Sequence, residues 1–311
     1  MTFAARKYVP EKIDEIRREV GSDRVLLALS GGIDSSVCAI LAHKAVDRQL
    51  TCVFIDTGLM RHREAVTVRD IFESIGIIVR VKDARARFLD SLHGVTDPEE
   101  KRLVFRDTFY KVLGETARDF GTKVLIQGTI AADVKETTGG IKTQHNILEQ
   151  VGIDPGNYGL RIVEPLKDLY KLQVRDVASY LGMPASLVNR IPFPGPALAC
   201  RVLGEITSSR VDIVRKATFI VEDELSSIGG FQYFAVLLSD KATGIKGGKR
   251  FYGDIVAVRS VESDDALTAS ISEIPWRKLK IIQERITSEI PSVVKVLYDI
   301  SPKPPSTIEY I

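Results

Sequence analysis

Between Val25 and Thr129 the chain alternates short apolar runs with stretches whose apolar positions recur at helical spacing. Val25–Leu29 is an unbroken apolar run ending at Ser30 and two glycines, the pattern of a buried parallel strand entering a turn. From Ile33 the period changes: Val37, Ile40, Leu41 and Lys44 predict a helix to about Val46. A second strand is predicted over Thr51–Ile55, ending at Asp56-Thr57-Gly58, with a helix through Val66, Val68, Ile71 and Phe72 behind it. A third strand is predicted over Ile77–Val81, helices over about Ala84–Leu92 and Pro98–Phe120, and a fourth strand over Val124–Ile126 leading into Gln127-Gly128-Thr129. Strand Arg161–Val163 and helix Lys171–Leu181 continue the series. This alternation predicts an α/β fold, a doubly wound parallel sheet with helices on both faces. Ligands of such sheets sit at the carboxyl ends of the strands, at the switch point. Ser30, Asp56 and Gln127 all fall at such ends.

Two stretches interrupt the pattern. From Thr137 to Tyr158 periodicity is weak and glycines are frequent; a loop of this length inside a domain is read as a lid, spanning about 132–158. The proline-rich segment Ile191-Pro-Phe-Pro-Gly-Pro196 then breaks regular structure. A domain boundary is expected there, dividing the chain into 1–190 and a smaller α+β domain over 191–311. In the latter, helices are predicted over Ser208–Ser226 and Trp276–Ser288, and strands near Tyr233–Leu238, Gly253–Val261 and Val293–Tyr298. Ile308 and Tyr310 anchor the tail.

Composition narrows the picture by exclusion. With 311 residues, 44% hydrophobic, the chain can bury one large core or two ordinary ones. A net charge of +2 leaves no overall electrostatic footprint for nucleic acid or membrane. No apolar run approaches the ~18–20 residues that span a bilayer, and the N-terminus lacks the apolar core of a signal peptide. Cys38, Cys52 and Cys200 are widely spaced among apolar neighbours and read as reduced core residues, which makes the cytoplasm the expected compartment.

The chemistry concentrates in Ser30-Gly31-Gly32-Ile33-Asp34-Ser35-Ser36. A strand, a glycine turn and a helix start form a phosphate-binding design. The glycines let backbone N–H groups approach an anion, and the helix aims its positive dipole end and unpaired donors at it. Ser30, Ser35 and Ser36 add hydroxyls. Asp34, an acid in an anion site, makes sense as a ligand of Mg²⁺ bound to pyrophosphate. The same residues would also serve a tight glycine turn with Ser/Asp helix caps. The lysine of a G-x-x-x-x-G-K-[ST] loop is absent, which disfavours γ-phosphoryl transfer of that kind.

The loop resembles the PP-loop of the ATP pyrophosphatases, which split ATP between the α and β phosphates. Further segments resemble one branch, the GMP synthetases, collinearly along the chain. They are Asp56-Thr57-Gly58-Leu59-Met60-Arg61, Gly94–Arg102, Gln127-Gly128-Thr129 with Asp133, Ile141–Asn146, Glu164-Pro165-Leu166, Ile191–Pro196, Arg201–Thr207 and Tyr298–Glu309. No glutaminase arrangement of Cys, His and Glu is discernible, so the resemblance is to the synthetase subunit of a split enzyme. It implies ATP, Mg²⁺, xanthosine 5′-monophosphate (XMP) and ammonia as reactants, a separate glutamine amidotransferase subunit as partner, a homodimer through the C-terminal domain, and no role for nucleic acid or membrane.

The resemblance also implies site residues. Ser30, Gly31, Gly32, Ile33, Asp34, Ser35 and Ser36 would bind the ATP phosphates, and Phe54, Asp56 and Gly128 the adenosine. Asp34 and Asp133 would serve Mg²⁺; Glu136 and the lid lysine Lys142 would join them in catalysis. Arg102, Arg201, Lys303, Thr307, Ile308 and Glu309 would hold XMP. Alone, Arg102 reads equally as a solvated helix residue, Lys303 as an ordinary tail residue, and His145 as a loop residue. Gln144 stands where the family has a histidine, and Gly248 where it has an aspartate, so 244–252 receives no assignment. Two other readings share the loop: an RNA-modifying adenylating enzyme, which would add a basic or zinc-binding appendage, and a non-catalytic nucleotide-binding module, which would not need Asp133, Lys142 and a lid.

Overall fold

The computed structural model describes residues 3–131, 133, 160–188, 190–264 and 266–311. Glu136, Lys142, Gln144, His145 and all of the expected lid except Asp133 lie outside them. The chain separates into two units. The first comprises Met1–Asp56, Glu64–Ala84 and Asp107–Arg190, and the second Thr57–Arg63, Arg85–Arg106 and Ile191–Ile311. Besides the C-terminal stretch, the second unit therefore takes in two earlier segments.

In the first unit, β1 (Val25–Ala28), β2 (Leu50–Asp56), β3 (Val79–Asp83), β4 (Val124–Ile126) and β5 (Arg161–Val163) form one parallel sheet. Its order is β3-β2-β1-β4-β5, so the winding reverses between β1 and β4. Val25, Leu26 and Leu27 of β1 are buried, as a central strand covered on both faces requires. The helix α2 (Ile33–Val46) is apolar nearly all round, with Val37, Cys38, Ala39, Leu41 and Ala42 buried. A helix of that composition needs cover on more than one side. It is supplied by α1 (Ala5–Val20), which packs on α2 and buries Val9, Ile16 and Val20. This helix was not among the expected elements, although Val9, Ile16 and Val20 recur at helical spacing. Two further helices follow the expected positions, α3 (Glu64–Glu73) in the first unit and the long α5 (Pro98–Asp119), divided between the units at Arg106; α4 (Arg85–Ser91), in the second unit, lies between them in the chain.

The third strand starts two residues later than predicted. After α3, Gly76 adopts φ +84 and the Ile77 N–H donates to the Phe72 carbonyl at 2.9 Å. This six-residue closure at a helix end uses the donor that a strand would need. Ile78 is 76% exposed, and pairing with β2 begins at Val79 opposite Cys52. The apolar run Ile77–Val81 thus begins in the cap of α3 and becomes strand only from Val79.

Past the sheet come α6 (Lys171–Tyr180) and the short α7 (Ala185–Val188). In the second unit, α8 (Ser208–Leu225) and α9 (Trp276–Glu289) accompany a four-stranded mixed sheet. β6 (Gln232–Lys246) and β7 (Lys249–Glu262) are antiparallel; β7 also pairs with β8 (Ser270–Ile271) and, in parallel, with β9 (Val293–Tyr298). Both long strands run beyond the predicted bounds. They meet at Gly247-Gly248, both at positive φ, the signature of a two-residue hairpin turn. The extension from Asp240 to Lys246 is mostly exposed, so it lacks the one-sided alternation by which a strand is read.

Candidate active site

The phosphate-type loop joins β1 to α2 at the switch point. Gly32 is the N-cap residue of α2 and, having no side chain, caps nothing. The first-turn N–H groups of a helix lack helical partners, and here no cap side chain is present to take one. The hydroxyls organise the loop itself. Ser30 Oγ lies 3.0 Å from Ser35 Oγ and accepts from the Gly32 N–H at 3.2 Å, while Ser35 Oγ donates to the Gly32 carbonyl at 3.1 Å. Ser36 is fully buried and its hydroxyl donates to the same carbonyl at 2.7 Å, so it serves the turn. Ile33 is buried too.

A cleft of about 210 Å³ opens beside this loop, at the ends of β1 and β4. Ser30, Asp34 and Ser35 line one part of it, Gln127, Gly128 and Asp133 another. Phe109, Tyr110 and Leu113 of α5 add apolar surface. Gly128 has a steric reason to be glycine: a Cβ there would stand 2.9 Å from the Ser35 backbone nitrogen. The two switch-point loops thus touch backbone to backbone.

Three polar features mark the cleft as built for something charged. Asp34 Oδ2 accepts from Lys171 Nζ at 2.6 Å, but Asp34 Oδ1 is buried and has no partner among the described residues. Gln127, 7% exposed at the end of β4, likewise has a buried, unpartnered Oε1. Asp133 Oδ2 accepts from the Ile130 N–H at 2.9 Å. A buried carboxylate oxygen left unpaired is costly unless a cation or donor joins it. No group of three or more His, Cys, Asp or Glu able to hold a metal occurs among the described residues. That donor set does not make an all-protein cage; it suits Mg²⁺, which takes one or two carboxylates together with waters and substrate phosphates.

The cleft does not include the other expected adenosine contacts. Phe54 is buried in the sheet, and the Asp56 carbonyl accepts from the Ala84 N–H at 2.9 Å. Nor did the sequence reading single out Lys171, Glu64 or Arg190. Arg190 Nη1 donates to the Gly31 carbonyl at 2.9 Å and Nη2 to Glu64 Oε2 at 2.7 Å. These partners come from more than 120 residues apart in the chain, beyond the reach of any local motif.

In the second unit, some of the residues expected at XMP come together and others do not. Arg201 donates to both carboxylate oxygens of Glu309, at 3.0 and 2.9 Å, a bidentate pair. Its guanidinium is 1% exposed and lies over the rings of Phe234 (4.1 Å) and Phe193 (5.0 Å). It therefore serves Glu309 and is not a free cation; only Nη1 has no partner among the described residues. Gln232 Nε2, which the sequence reading passed over, also donates to Glu309. Arg102 pairs with Glu99 at 3.2 Å, one turn away on α5. Lys303 Nζ donates to the Ala266 carbonyl at 2.8 Å, the Thr307 hydroxyl to the Glu309 carbonyl, and Ile308 is buried against Val261 and Ala269. Next to Arg102, Lys101 is buried and donates to the Val202 carbonyl at 2.7 Å; burial, with repulsion from Arg210, pushes its pKa down to about 8.

Arg259, also unforeseen, organises residues 299–308. Wholly buried, it donates to the carbonyls of Ile308, Ser301 and Thr307 and to Asp299 Oδ2, at 2.7–2.9 Å. The Cys38, Cys52 and Cys200 thiols are buried and free, and no helix among the described residues is long and apolar enough to cross a membrane.

Comparison with known proteins agrees with this layout. A PP-loop domain model matches residues 6–184, and a GMP synthase C-terminal domain model matches residues 220–310. The chain is 48% identical over 316 residues to a GMP synthase (glutamine-hydrolyzing) subunit of Methanopyrus kandleri, in a match that covers 99% of both chains. It is 49% identical over 313 residues to the subunit of the same name from Methanocaldococcus jannaschii, again over 99% of both. Among solved structures, NMN synthetase from Francisella tularensis is similar over 63% of this chain and 78% of its own, at 21% identity and a TM-score of 0.48.

Proposed function

The chain belongs to the family of GMP synthase (glutamine-hydrolyzing) subunits that carry the PP-loop and GMP synthase C-terminal domains, and from that premise we propose that it makes GMP in two steps, adenylylation of XMP and then amination. In the first, XMP attacks the α-phosphorus of ATP through its O2 and expels pyrophosphate, giving adenylyl-XMP. In the second, ammonia adds at C2 and AMP leaves with the O2 atom, giving GMP. The single observation that carries this reading is the buried Asp34 Oδ1, without a partner among the described residues, beside the uncapped start of α2 at the switch point of the sheet.

The residues divide the work. The N–H groups that open α2, with Ser30 and Ser35, hold the phosphates and receive the charge that leaves with pyrophosphate. Lys171, already on Asp34, supplies a positive charge at the same place. Asp34 and Asp133 would hold Mg²⁺, which when bound neutralises charge on the phosphate oxygens. Glu136 and Lys142 complete the catalytic set in this reading. Phe109 and Tyr110 offer apolar surface to the adenosine, with Phe54, Asp56 and Gly128 contributing through the strand ends. Positioning and charge neutralisation account for catalysis of the first step. Arg102 and Lys303 take the XMP phosphate, Thr307 and Ile308 shape the segment that carries Glu309, and Glu309 accepts from the purine ring while Arg201 holds it. The ammonia comes from a separate glutaminase subunit; the synthetase subunits pair through their second units, in the reducing cytoplasm.

The test is a product balance. The purified chain with ATP, Mg²⁺, XMP and high ammonium chloride should yield GMP, AMP and pyrophosphate in equal amounts. AMP formation with tRNA as acceptor but not with XMP would refute the assignment. Glutamine should replace ammonium only after a glutaminase subunit is added.

A further inference from the structure

The phosphate loop contains two successive glycines, and such a peptide has little conformational preference of its own. Gly31 adopts φ +79, where glycine is favoured. What surrounds it is unusually specific. A Cβ at Gly31 would stand 2.5 Å from Arg190 Nη1, 2.8 Å from Glu64 Oε1 and 3.0 Å from Val68 Cγ2. Glu64 is 3% exposed, and its buried charge is balanced by Arg190. None of Gly31, Glu64, Val68 or Arg190 lines the cleft bounded by Ser30, Asp34, Ser35 and Gly128.

In a trans peptide the C=O and N–H point in opposite directions. With its carbonyl bound by Arg190, Gly31 turns the following N–H, that of Gly32, towards Ser30 Oγ, and Ser30 does line the cleft. The reverse orientation would aim a partial negative charge at a polyphosphate. We infer that Arg190, oriented by Glu64, is the positioning residue of the phosphate loop: it fixes the Gly31–Gly32 peptide with its carbonyl turned from the phosphates. This rests on the reading of Ser30–Ser36 as the ATP-phosphate loop. Arg190 touches no reacting atom in this role, and it stands next to Ile191, where the second unit resumes.

The experiment compares Arg190→Met, Glu64→Gln and the double variant in the full chain. Its readouts are Tm, equilibrium ATP binding, and KM values for ATP and XMP in pyrophosphate release. Arg190→Met should raise the Kd and KM for ATP about tenfold or more while leaving the XMP KM within about twofold. Its Tm should fall, because Glu64 is left buried and unpaired. Adding Glu64→Gln should restore Tm but not ATP affinity. Arg190→Lys, which keeps the charge but not the fork, should keep Tm near the wild type and still weaken ATP binding. ATP affinity restored together with Tm in the double variant, or unchanged in Arg190→Lys and Arg190→Met alike, would overturn the inference and reduce the pair to mutual neutralisation. A wild-type chain that binds no ATP would overturn the loop reading beneath it.

Discussion

The Ser30–Ser36 loop and the segment 299–309 are both crowded with polar atoms, but they spend them in opposite ways. The loop satisfies its hydroxyls internally and, among the described residues, leaves its helix start uncapped and Asp34 Oδ1 unpartnered. The later segment is held mainly by its own clamps: Arg259 bonds four of its acceptors, and Glu309 is engaged by Arg201 and Gln232. An arrangement with donors and an acceptor to spare can take up a charged ligand. An arrangement held by its own clamps presents a fixed shape. On the proposed reading, the first serves cleavage of ATP and the second recognition of XMP.

The largest expected effect breaks the first half of this contrast. Asp34→Asn should lower the rate of pyrophosphate release by roughly two to three orders of magnitude, the scale of losing one preorganised electrostatic group. Its Tm should change little: Asp34 Oδ1 has no partner among the described residues, and the ion pair of Asp34 Oδ2 with the half-exposed Lys171 is worth about 0–1 kcal/mol. Unchanged turnover would show the loop to be only a glycine turn. Arg259→Met breaks the second half. It removes the guanidinium from a part-buried carboxylate and three carbonyls, a loss of about 3–5 kcal/mol in stability by chemical denaturation. In the fraction that folds, XMP affinity should fall while ATP affinity holds; equal loss of both would mean that the segment does not serve XMP in particular.

Gly31→Ala should be milder. It forces a side chain to φ +79, about 1–2 kcal/mol, and displaces Arg190, so ATP affinity should drop before XMP affinity does. The smallest effect is one of pH. Lys101 has a folded-state pKa of about 8, below its ordinary value, so the unfolded chain binds more protons above pH 8. Stability contributed by this site should therefore rise with pH from about 8 towards the ordinary lysine pKa and be flat below. Denaturation of wild type and Lys101→Met across that window should show a difference that changes with this sign.

Where an element is specified by neighbours in sequence, it was readable. The run Val25–Leu29, the glycine turn and the spacing through Val46 gave β1, the loop and α2 because burial on both faces leaves an unambiguous apolar signal. The start of β3 was misplaced because Ile77 is claimed by the cap of α3, and α1 went unread although its buried residues follow a helical period. In the sites, the residues of the loop were legible while their supports were not. Lys171, Glu64 and Arg190 reach the loop, and Arg259 and Gln232 reach 299–309, across long stretches of chain. Each looks in sequence like an ordinary surface residue. Arg201 stood out in the sequence, but its ion pair with Glu309, 108 residues away, did not.

The central claim, that AMP is transferred to XMP before ammonia enters, is tested most directly by the fate of one atom. XMP labelled with ¹⁸O at O2 is converted with ATP, Mg²⁺ and ammonium, and the AMP, pyrophosphate and GMP are weighed by mass spectrometry. The account predicts that the label appears in the phosphate of AMP and nowhere else. Unlabelled AMP, with the ¹⁸O released to water, would contradict it.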